Sequence, residues 1–180
     1  MAISKANRPI TAFVRARPSD RRRGIISIGP LRLACALGRS GLNQHKREGD
    51  GATPRASLVP IRIFYRADQN LRPTTSRLPQ QIIRPDDGWC DAPGSFSYNR
   101  HIKIPFNKSH ERLWRDDHLY DLVIETDWNT CPRLPYRGSA IFIHLARDGY
   151  KPTEGCIALS RKDMRLLLMW LGRIRCFKIS

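Results

Sequence analysis

Short apolar runs, separated by glycine, proline and charged residues, dominate the chain and predict strands. Three of them occupy residues 25–28, 31–37 and 58–65. The two strongest runs, 118–126 and 139–146, are rich in β-branched and aromatic residues, which favour the pleated and half-buried surface of a sheet. We therefore expect these two runs to form central strands.

One stretch predicts a helix near the C-terminus. Ser160 is a suitable N-cap, and Asp163 follows three residues later in a looser form of the capping box. Apolar residues then recur at i, i+3, i+4 and i+7, which places them on one helical face, and Gly172 offers a stop. They are Met164, Leu167, Leu168 and Leu171. This apolar stripe predicts core packing.

Two segments lack a clear pattern. Residues 1–22 are basic and show no sustained hydrophobic period, which predicts a mobile tail ahead of one folded domain at 23–180. Residues 68–105 are rich in Pro, Asp, Gly and Asn, and their best strand candidate is the short run 81–84. Here we expect long loops crossing one face of a sheet.

The excess of positive charge favours anionic binding partners. With 32 Lys+Arg against 16 Asp+Glu, the formal net charge is +16, so the surface attracts anions in a salt-dependent way. Nucleic acid, an anionic wall polymer and a membrane surface all fit this charge. No transmembrane segment is expected, because no apolar run approaches the ~18 residues that a spanning helix needs. The N-terminus also lacks the apolar core of a secretory signal.

The five cysteines are odd in number and form no C-x-x-C motif. This count and spacing predict neither a complete disulfide framework nor a zinc-finger pattern. At least one thiol is left unpaired. Such a thiol is a candidate for chemistry if a base lies near it.

Cys156 and His144 offer such a pair. Alternation in the run 139–146 places His144 at a strand end, and the polar loop 147–155 then leads to Cys156 at the start of another apolar run. A free thiol has a pKa of about 8.5, and a neighbouring imidazole activates it by accepting its proton or by stabilising the thiolate. A buried structural cysteine and a core histidine are the alternative interpretation of the same pattern.

Gly155 and Thr153, which precede Cys156, are candidates for stabilising the carbonyl group of a substrate. Gly155 has no Cβ, so a substrate carbonyl can approach the backbone there, and the amides of this turn are candidates for an oxyanion hole. Thr153 carries a hydroxyl that is a further candidate donor. Cys90 as nucleophile and His118 as its base form the alternative to the pair Cys156 and His144.

The sequence resembles the YkuD-type L,D-transpeptidase catalytic domain. That family has a strand ending in Ile-His and then a Ser/Thr-x-Gly-Cys-x-x-Leu segment, and this chain has Ile143-His144 and Thr153 to Leu159. The segment 46–54 is similar to the family's Lys-x-Gly-Asp-x-Thr-Pro turn. The resemblance covers residues 24–170, with Glu154 where a His is frequent, Ala158 where an Arg is frequent and a shorter loop before Cys156.

This resemblance implies a mostly β fold, in which two mixed sheets pack as a sandwich with few short helices and one C-terminal helix. It implies Cys156 as nucleophile and His144 as base, with Gly155 and Thr153 in support. His118, Tyr120 and Trp89 become possible substrate-side residues. No cofactor and no metal are implied, and we expect a monomer.

The implied partners are peptidoglycan stem peptides, with the basic surface facing an anionic wall polymer. The thiolate would attack the carbonyl of an L-centre in a tetrapeptide stem and release D-alanine. An amine would complete an L,D-transpeptidase reaction, and water a carboxypeptidase reaction. Carbapenem-like acyl donors should also react. The implied place is the cell envelope or periplasm, although no signal peptide is visible.

Two other functions fit parts of the sequence. The charge alone is compatible with a nucleic-acid-binding protein, but no RNA-binding motif, recognition helix or zinc pattern accompanies it. A catalytically inactive relative that binds the wall is the other alternative. We expect an enzyme to have one fast-reacting thiol, and a nucleic-acid-binding protein to have five ordinary ones.

Overall fold

The structure, a computed structural model, describes residues 8–73 and 77–180. Its strands in chain order are β1 (Ile10–Arg17), β2 (Asp20–Ile28), β3 (Leu31–Ala36), β4 (Leu42–Asn43), β5 (Thr53–Pro54), β6 (Ser57–Leu58), β7 (Pro60–Tyr65), β8 (Gln80–Ile82), β9 (Asp87–Cys90), β10 (Arg100–Lys103), β11 (His110–Arg112), β12 (Leu122–Thr126), β13 (Phe142–Leu145), β14 (Ile157–Leu159) and β15 (Ile174–Ile179). In the described ranges the α-helix α1 (Arg161–Leu171) lies between β14 and β15. The fold is mostly β with mixed sheets and a helix near the C-terminus, as predicted.

Ten strands form one curled sheet in the order β6-β15-β1-β2-β3-β14-β13-β12-β7-β8. Strand β6 stands at one end of this order, and only Val59 separates it in the chain from β7, near the other end. Strands β15 and β7 are also in contact. The sheet therefore curls until its ends meet, and its halves pack around one apolar core. This curling produces the two packed layers that the sequence predicted.

Strand β1 corrects the prediction of a mobile tail. It pairs with β2 and with β15, and Ala12 and Val14 are fully buried in the core. Arg15 and Arg17 alternate with these residues and point outward. Because of these arginines the segment was interpreted as basic, and the alternation of a strand was not recognised. The prediction is wrong for residues 10–22, and residues 1–7 lie outside the described residues.

Because β1 belongs to the sheet, a charge on its inner face should unfold the protein. We expect Val14→Asp to lower the free energy of unfolding by more than about 3 kcal/mol, since a buried unpaired carboxylate loses its hydration. The matched variant Arg15→Asp, on the exposed face of the same strand, should change it by less than about 1 kcal/mol. Urea unfolding monitored by circular dichroism measures both. Equal stability of the two variants would mean that β1 is dispensable.

Helix α1 follows its sequence pattern closely. The Asp163 amide donates to Ser160 Oγ at 3.1 Å, so Ser160 is the predicted N-cap. All four residues of the predicted apolar stripe are buried. The helix packs against β13 and β14. It thereby supports β13, which carries His144, and β14, which begins directly after Cys156.

The middle of the chain contains more regular structure than the predicted loops. Strands β9, β10 and β11 form a three-stranded antiparallel sheet with β9 in the centre. All four residues of β9 are buried, and Trp89 belongs to a second apolar core together with Phe64, Phe142 and Cys156. Local sequence gave little sign of this sheet because its strands are short and pair across long chain separations. Its packing places it against the strands that surround Cys156.

Candidate active site

The register of β13 and β14 brings the predicted pair together. These strands are parallel, and Ile143 pairs with Ile157 and His144 with Ala158. Cys156 comes just before β14, next to the start of β13, where the Phe142 amide donates to Cys156 Sγ at 3.4 Å. The two predicted residues thus occupy neighbouring strands, as the alternation pattern indicated.

Both side chains line one cavity of about 330 Å³. Its wall also contains Tyr120 and Thr153, and charged groups of both signs. The charged lining residues are Lys46, Glu48, Asp91, Glu111, Arg115, Arg147, Lys151 and Glu154. The cavity is large enough for part of a peptide, and its wall is polar enough to orient one.

The Cys156 thiol is buried and neutral. The residue is 8% exposed, and Sγ donates to the Ala140 carbonyl at 3.0 Å. Burial, together with the negative charge of Glu111, raises the pKa of Cys156 to about 12. A thiolate is disfavoured there because the cavity wall hydrates it poorly. The resting group is therefore a protonated thiol.

The His144 imidazole is also neutral. Nδ1 lies 2.8 Å from the Leu145 carbonyl, which only accepts, so Nδ1 carries the proton and Nε2 has a free lone pair. Burial lowers the pKa of His144 to about 4, because the charged imidazolium would lose hydration. The Tyr120 ring meets the imidazole edge to face, with centroids 5.1 Å apart. His144 is thus held as a ring able to accept a proton.

Thiol and imidazole are not joined by a hydrogen bond in the described part of the chain. The thiol bonds to the backbone of Ala140 and Phe142, and the imidazole to Leu145. Two neutral groups in one cavity fit a general base acting as the bond forms, and do not fit a preformed thiolate–imidazolium pair.

The turn before Cys156 is tightly constrained. Gly155 has a φ of +135°, and a Cβ at this position would lie 2.7 Å from the Ala52 carbonyl, so only glycine fits without strain. The Thr153 hydroxyl donates to the Cys156 carbonyl at 2.7 Å and accepts from the Gly155 amide at 3.1 Å. Thr153 therefore fixes the turn, and its hydroxyl and the Gly155 amide are already engaged. The Cys156 amide remains the candidate oxyanion donor of this turn.

The second sequence motif, residues 46–54, packs directly against this turn. Ala52 contacts Gly155, and the Thr53 hydroxyl lies 3.4 Å from the Cys156 carbonyl while accepting from the Gly38 amide at 2.8 Å. The Lys46 ammonium is buried and bonds to Asp50 at 2.5 Å. The two motifs are therefore parts of one structural unit around Cys156.

Of the three predicted substrate-side residues, one lies on the cavity wall and two lie away from it. Tyr120 lines the cavity. Trp89 does not line it but packs edge to face on Phe142, with centroids 4.9 Å apart, in the core below. The His118 side chain is 57% exposed, bonds to Asp121 at 3.3 Å and lies outside the cavity wall. Trp89 is thus a structural support, and His118 is a surface residue.

The competing nucleophile has no access to this cavity. Cys90 is fully buried in β9, between β10 and β11, and is absent from the cavity wall. His118, its predicted base, faces solvent. The structure thus favours Cys156 over Cys90 as the thiol that a substrate can reach.

Sequence analysis missed the acidic wall of the cavity. Glu48 lies inside the recognised motif 46–54, so its position contained a usable signal. Asp91 and Glu111 come from the segment interpreted as loops or left unassigned, and no local pattern marks them. Arg115 lies over the Tyr120 ring at 5.0 Å and pairs with Asp117. These residues meet only through tertiary packing.

Fold and cavity together define a mostly β protein with a buried thiol and a neutral imidazole on neighbouring strands. Residues 4–173 match the family model of the YkuD L,D-transpeptidase catalytic domain. The chain therefore belongs to this family of enzymes that act on peptidoglycan. No curated protein and no solved structure gives a significant match.

Within residues 8–73 and 77–180, no helix has the length and apolar character needed to cross a membrane. Over the same ranges, no group of three or more His, Cys, Asp or Glu side chains has an arrangement that could hold a metal ion.

Proposed function

We propose that the protein transfers acyl groups of peptidoglycan stem peptides through a thioester on Cys156, with His144 as the general base. One observation supports this most directly: a neutral thiol and a neutral imidazole share a peptide-sized cavity on adjacent parallel strands. Membership of a family that acts on peptidoglycan supports the proposed substrate class.

In the first half-reaction, Cys156 Sγ attacks the carbonyl carbon of the stem while its proton passes to His144 Nε2. The Cys156 amide is placed to donate to the oxygen as negative charge develops. The C–N bond then breaks, and the departing amine takes the proton from Nε2. A thioester and a free D-amino acid result, with no net change in charge.

In the second half-reaction, an acceptor attacks the thioester carbon and gives a proton to Nε2. The C–S bond breaks, and the sulfur recovers its proton from the imidazolium. An amine from a second stem yields a cross-link, as in an L,D-transpeptidase, and water yields a trimmed stem, as in an L,D-carboxypeptidase. The same two side chains serve both outcomes.

The buried environment explains how this chemistry avoids a stable thiolate. Because the pKa of Cys156 is raised and that of His144 is lowered, the ion pair is unfavourable at rest. Proton transfer becomes favourable only as sulfur bonds to carbon, since the sulfur then no longer holds the full negative charge. The enzyme is thereby protected from reagents that consume thiolates.

Charge outside the cavity supports the proposed setting. The excess of Lys and Arg over Asp and Glu gives +16, which favours contact with an anionic wall polymer. Such contact is electrostatic and should weaken as salt is added. We propose the polymer as a partner of the surface, distinct from the peptide in the cavity.

Mass spectrometry tests the proposal on the unmodified protein. After incubation with a purified tetrapeptide stem, the intact protein should gain one acyl group per chain, located on the peptide that contains Cys156. The solution should contain free D-alanine and either trimmed or cross-linked stems. Binding of wall fragments without any adduct or product would instead identify an inactive wall-binding relative.

A further inference from the structure

Three carboxyl groups line the cavity beside Cys156 without a cationic partner. Among the described residues, no Lys, Arg or His nitrogen lies within 4.0 Å of the carboxylates of Glu48, Asp91 or Glu111. Elsewhere in the chain, buried carboxylates are paired, as Asp121 is with Arg161 and Glu125 with Arg62. In a protein with twice as many cationic as anionic residues, three unpaired carboxyls in one cavity require an explanation.

Two of these carboxyl groups, both on the cavity wall, are each held by a tyrosine hydroxyl. The Tyr98 hydroxyl donates to Glu48, and the Tyr120 hydroxyl donates to Glu111 at 2.8 Å. Each tyrosine bonds to one carboxylate oxygen and leaves the other for a ligand. Both tyrosines hold their carboxyl groups in fixed positions, so the acceptors are preorganised.

Two further wall atoms are buried without a hydrogen-bond partner in the described residues. They are Asp91 Oδ1 and Ser139 Oγ, and the Ser139 residue is only 6% exposed. Ser139 Oγ lies beside the Tyr98 hydroxyl, but not in ordinary hydrogen-bond geometry. Buried polar atoms are nearly always paired, so two unpaired ones on the same cavity wall indicate a missing polar ligand.

The electrostatics favour a cationic ligand. Burial raises the pKa of the Glu111 carboxyl, and the negative charges of Asp91 and Glu48 add to this rise, although the hydrogen bond from Tyr120 and the positive charge of Arg115 offset part of it. The Glu111 charge in turn contributes to the raised pKa of Cys156. A cation among the three carboxyls would relieve both repulsions at once.

We propose that Glu48, Asp91 and Glu111 form a subsite that binds a primary ammonium group of the peptide substrate beside Cys156. An ammonium group has three N–H donors on a compact centre, which matches three separated acceptors better than the flat fork of a guanidinium. The subsite therefore selects peptides that carry a side-chain or terminal amine. This inference rests on the proposed function for the identity of the ligand as substrate.

Binding can be measured apart from catalysis. The Cys156→Ser protein removes the thiol chemistry, and the probes are Nα-acetyl-lysine methylamide and the same compound acetylated on Nε. We expect the free amine to bind at least about 10-fold more tightly in an NMR titration, because hydrogen bonds to charged groups are stronger than neutral ones. Glu48→Gln, Asp91→Asn and Glu111→Gln, each added to Cys156→Ser, should reduce this preference.

The variants are matched for structure and for charge. Glutamine keeps an oxygen that accepts from Tyr98 or Tyr120, and thermal melts verify that each variant is folded. The control Asp86→Asn removes one carboxylate next to β9, but Asp86 is half exposed, pairs with Lys103 and lies outside the cavity wall. It should retain the full preference for the free amine.

Three results would overturn the subsite. They are equal binding of both probes, an undiminished preference in all three cavity variants, and displacement of the amine by low concentrations of Mg²⁺ or Ca²⁺, which would identify a metal site. A folded Glu111→Gln with unchanged binding would remove Glu111 from the subsite even if the other two variants lost binding, and would overturn the three-carboxyl arrangement.

A kinetic arm then identifies the source of the amine. Single-turnover acylation by a stem whose side-chain amine is free or acetylated tests the donor, and aminolysis of the preformed thioester tests the acceptor. If Glu111→Gln slows acylation and Asp86→Asn does not, the subsite binds the donor peptide; if it slows aminolysis, the subsite binds the acceptor. If Glu111→Gln slows neither step, the subsite has no role in substrate binding. If probes bind as expected but no stem forms a thioester, the proposed function fails while the ammonium subsite stands.

Discussion

Replacement of Cys156 by alanine is expected to lower acyl transfer by at least about 10³-fold, because the thioester can no longer form. Cys156→Ser should be nearly as inactive, since a hydroxyl is much harder to ionise than a thiol and His144 alone does not compensate for this difference. Single-turnover release of D-alanine from a tetrapeptide stem measures both variants. A carbapenem should add once per wild-type chain, on the peptide that contains Cys156, and should add to neither variant.

The structure also selects the controls for this experiment. Cys131 is exposed, and Cys90 is fully buried outside the cavity wall, so Cys131→Ser and Cys90→Ala should retain both turnover and the carbapenem adduct. An adduct that survives in Cys156→Ala, or that maps to Cys90, would mean that the nucleophile is a different residue.

Burial changes what a thiol-reactivity assay should show. The sequence analysis expected the nucleophile to be the fastest of the five thiols. Because the pKa of Cys156 is raised to about 12 and the side chain is shielded, iodoacetamide should instead modify the exposed Cys131 first. A fast reaction therefore identifies an accessible thiol, and only an acyl donor that fits the cavity identifies the nucleophile.

Replacement of His144 by alanine is expected to lower the acylation rate by at least about 10²-fold, the usual loss for a positioned general base. The fold should persist, since the His144 side chain lines a cavity and its hydrogen bond goes to the carbonyl of the next residue, Leu145. The exposed His118 provides a control, and His118→Ala should leave the rate unchanged. Loss of activity in His118→Ala with full activity in His144→Ala would exchange the two roles.

The pH dependence of the same rate separates two mechanisms. A general base must be unprotonated, and the pKa of His144 is lowered to about 4, so the rate should rise as pH increases through this value. It should then stay level from about pH 5 to about pH 9, because the thiol remains protonated until its pKa of about 12. A rate that instead climbs steadily between pH 6 and pH 9 would mean that the group limiting the rate loses its proton in this range, and would contradict a base that is already neutral above about pH 5.

Local patterns were enough to predict much of the molecule. Helix α1 could be predicted because its cap at Ser160 and its apolar face depend on residues within three turns of one another. Strands β12 and β13 could be predicted because β-branched and aromatic residues were concentrated there, although the strands begin later than expected. The pairing of His144 with Cys156 followed from alternation and a short motif.

Long-range packing determined what the sequence analysis missed. Strand β1 is held by β15 from the far end of the chain, and its outward arginines concealed the inward Ala12 and Val14. The small sheet around β9 likewise consists of short strands whose stability comes from their neighbours. Register and burial depend on partners distant in sequence, so no local pattern contains them.

The sequence by itself determined the residue types at the site, their order and the family to which they belong. Only the tertiary structure decided their electrostatic state, because the pKa of a group depends on how much water and which charges surround it. The thiol and imidazole are neutral because both are buried, and the carboxyls of Glu48, Asp91 and Glu111 meet because three separate segments fold onto one cavity.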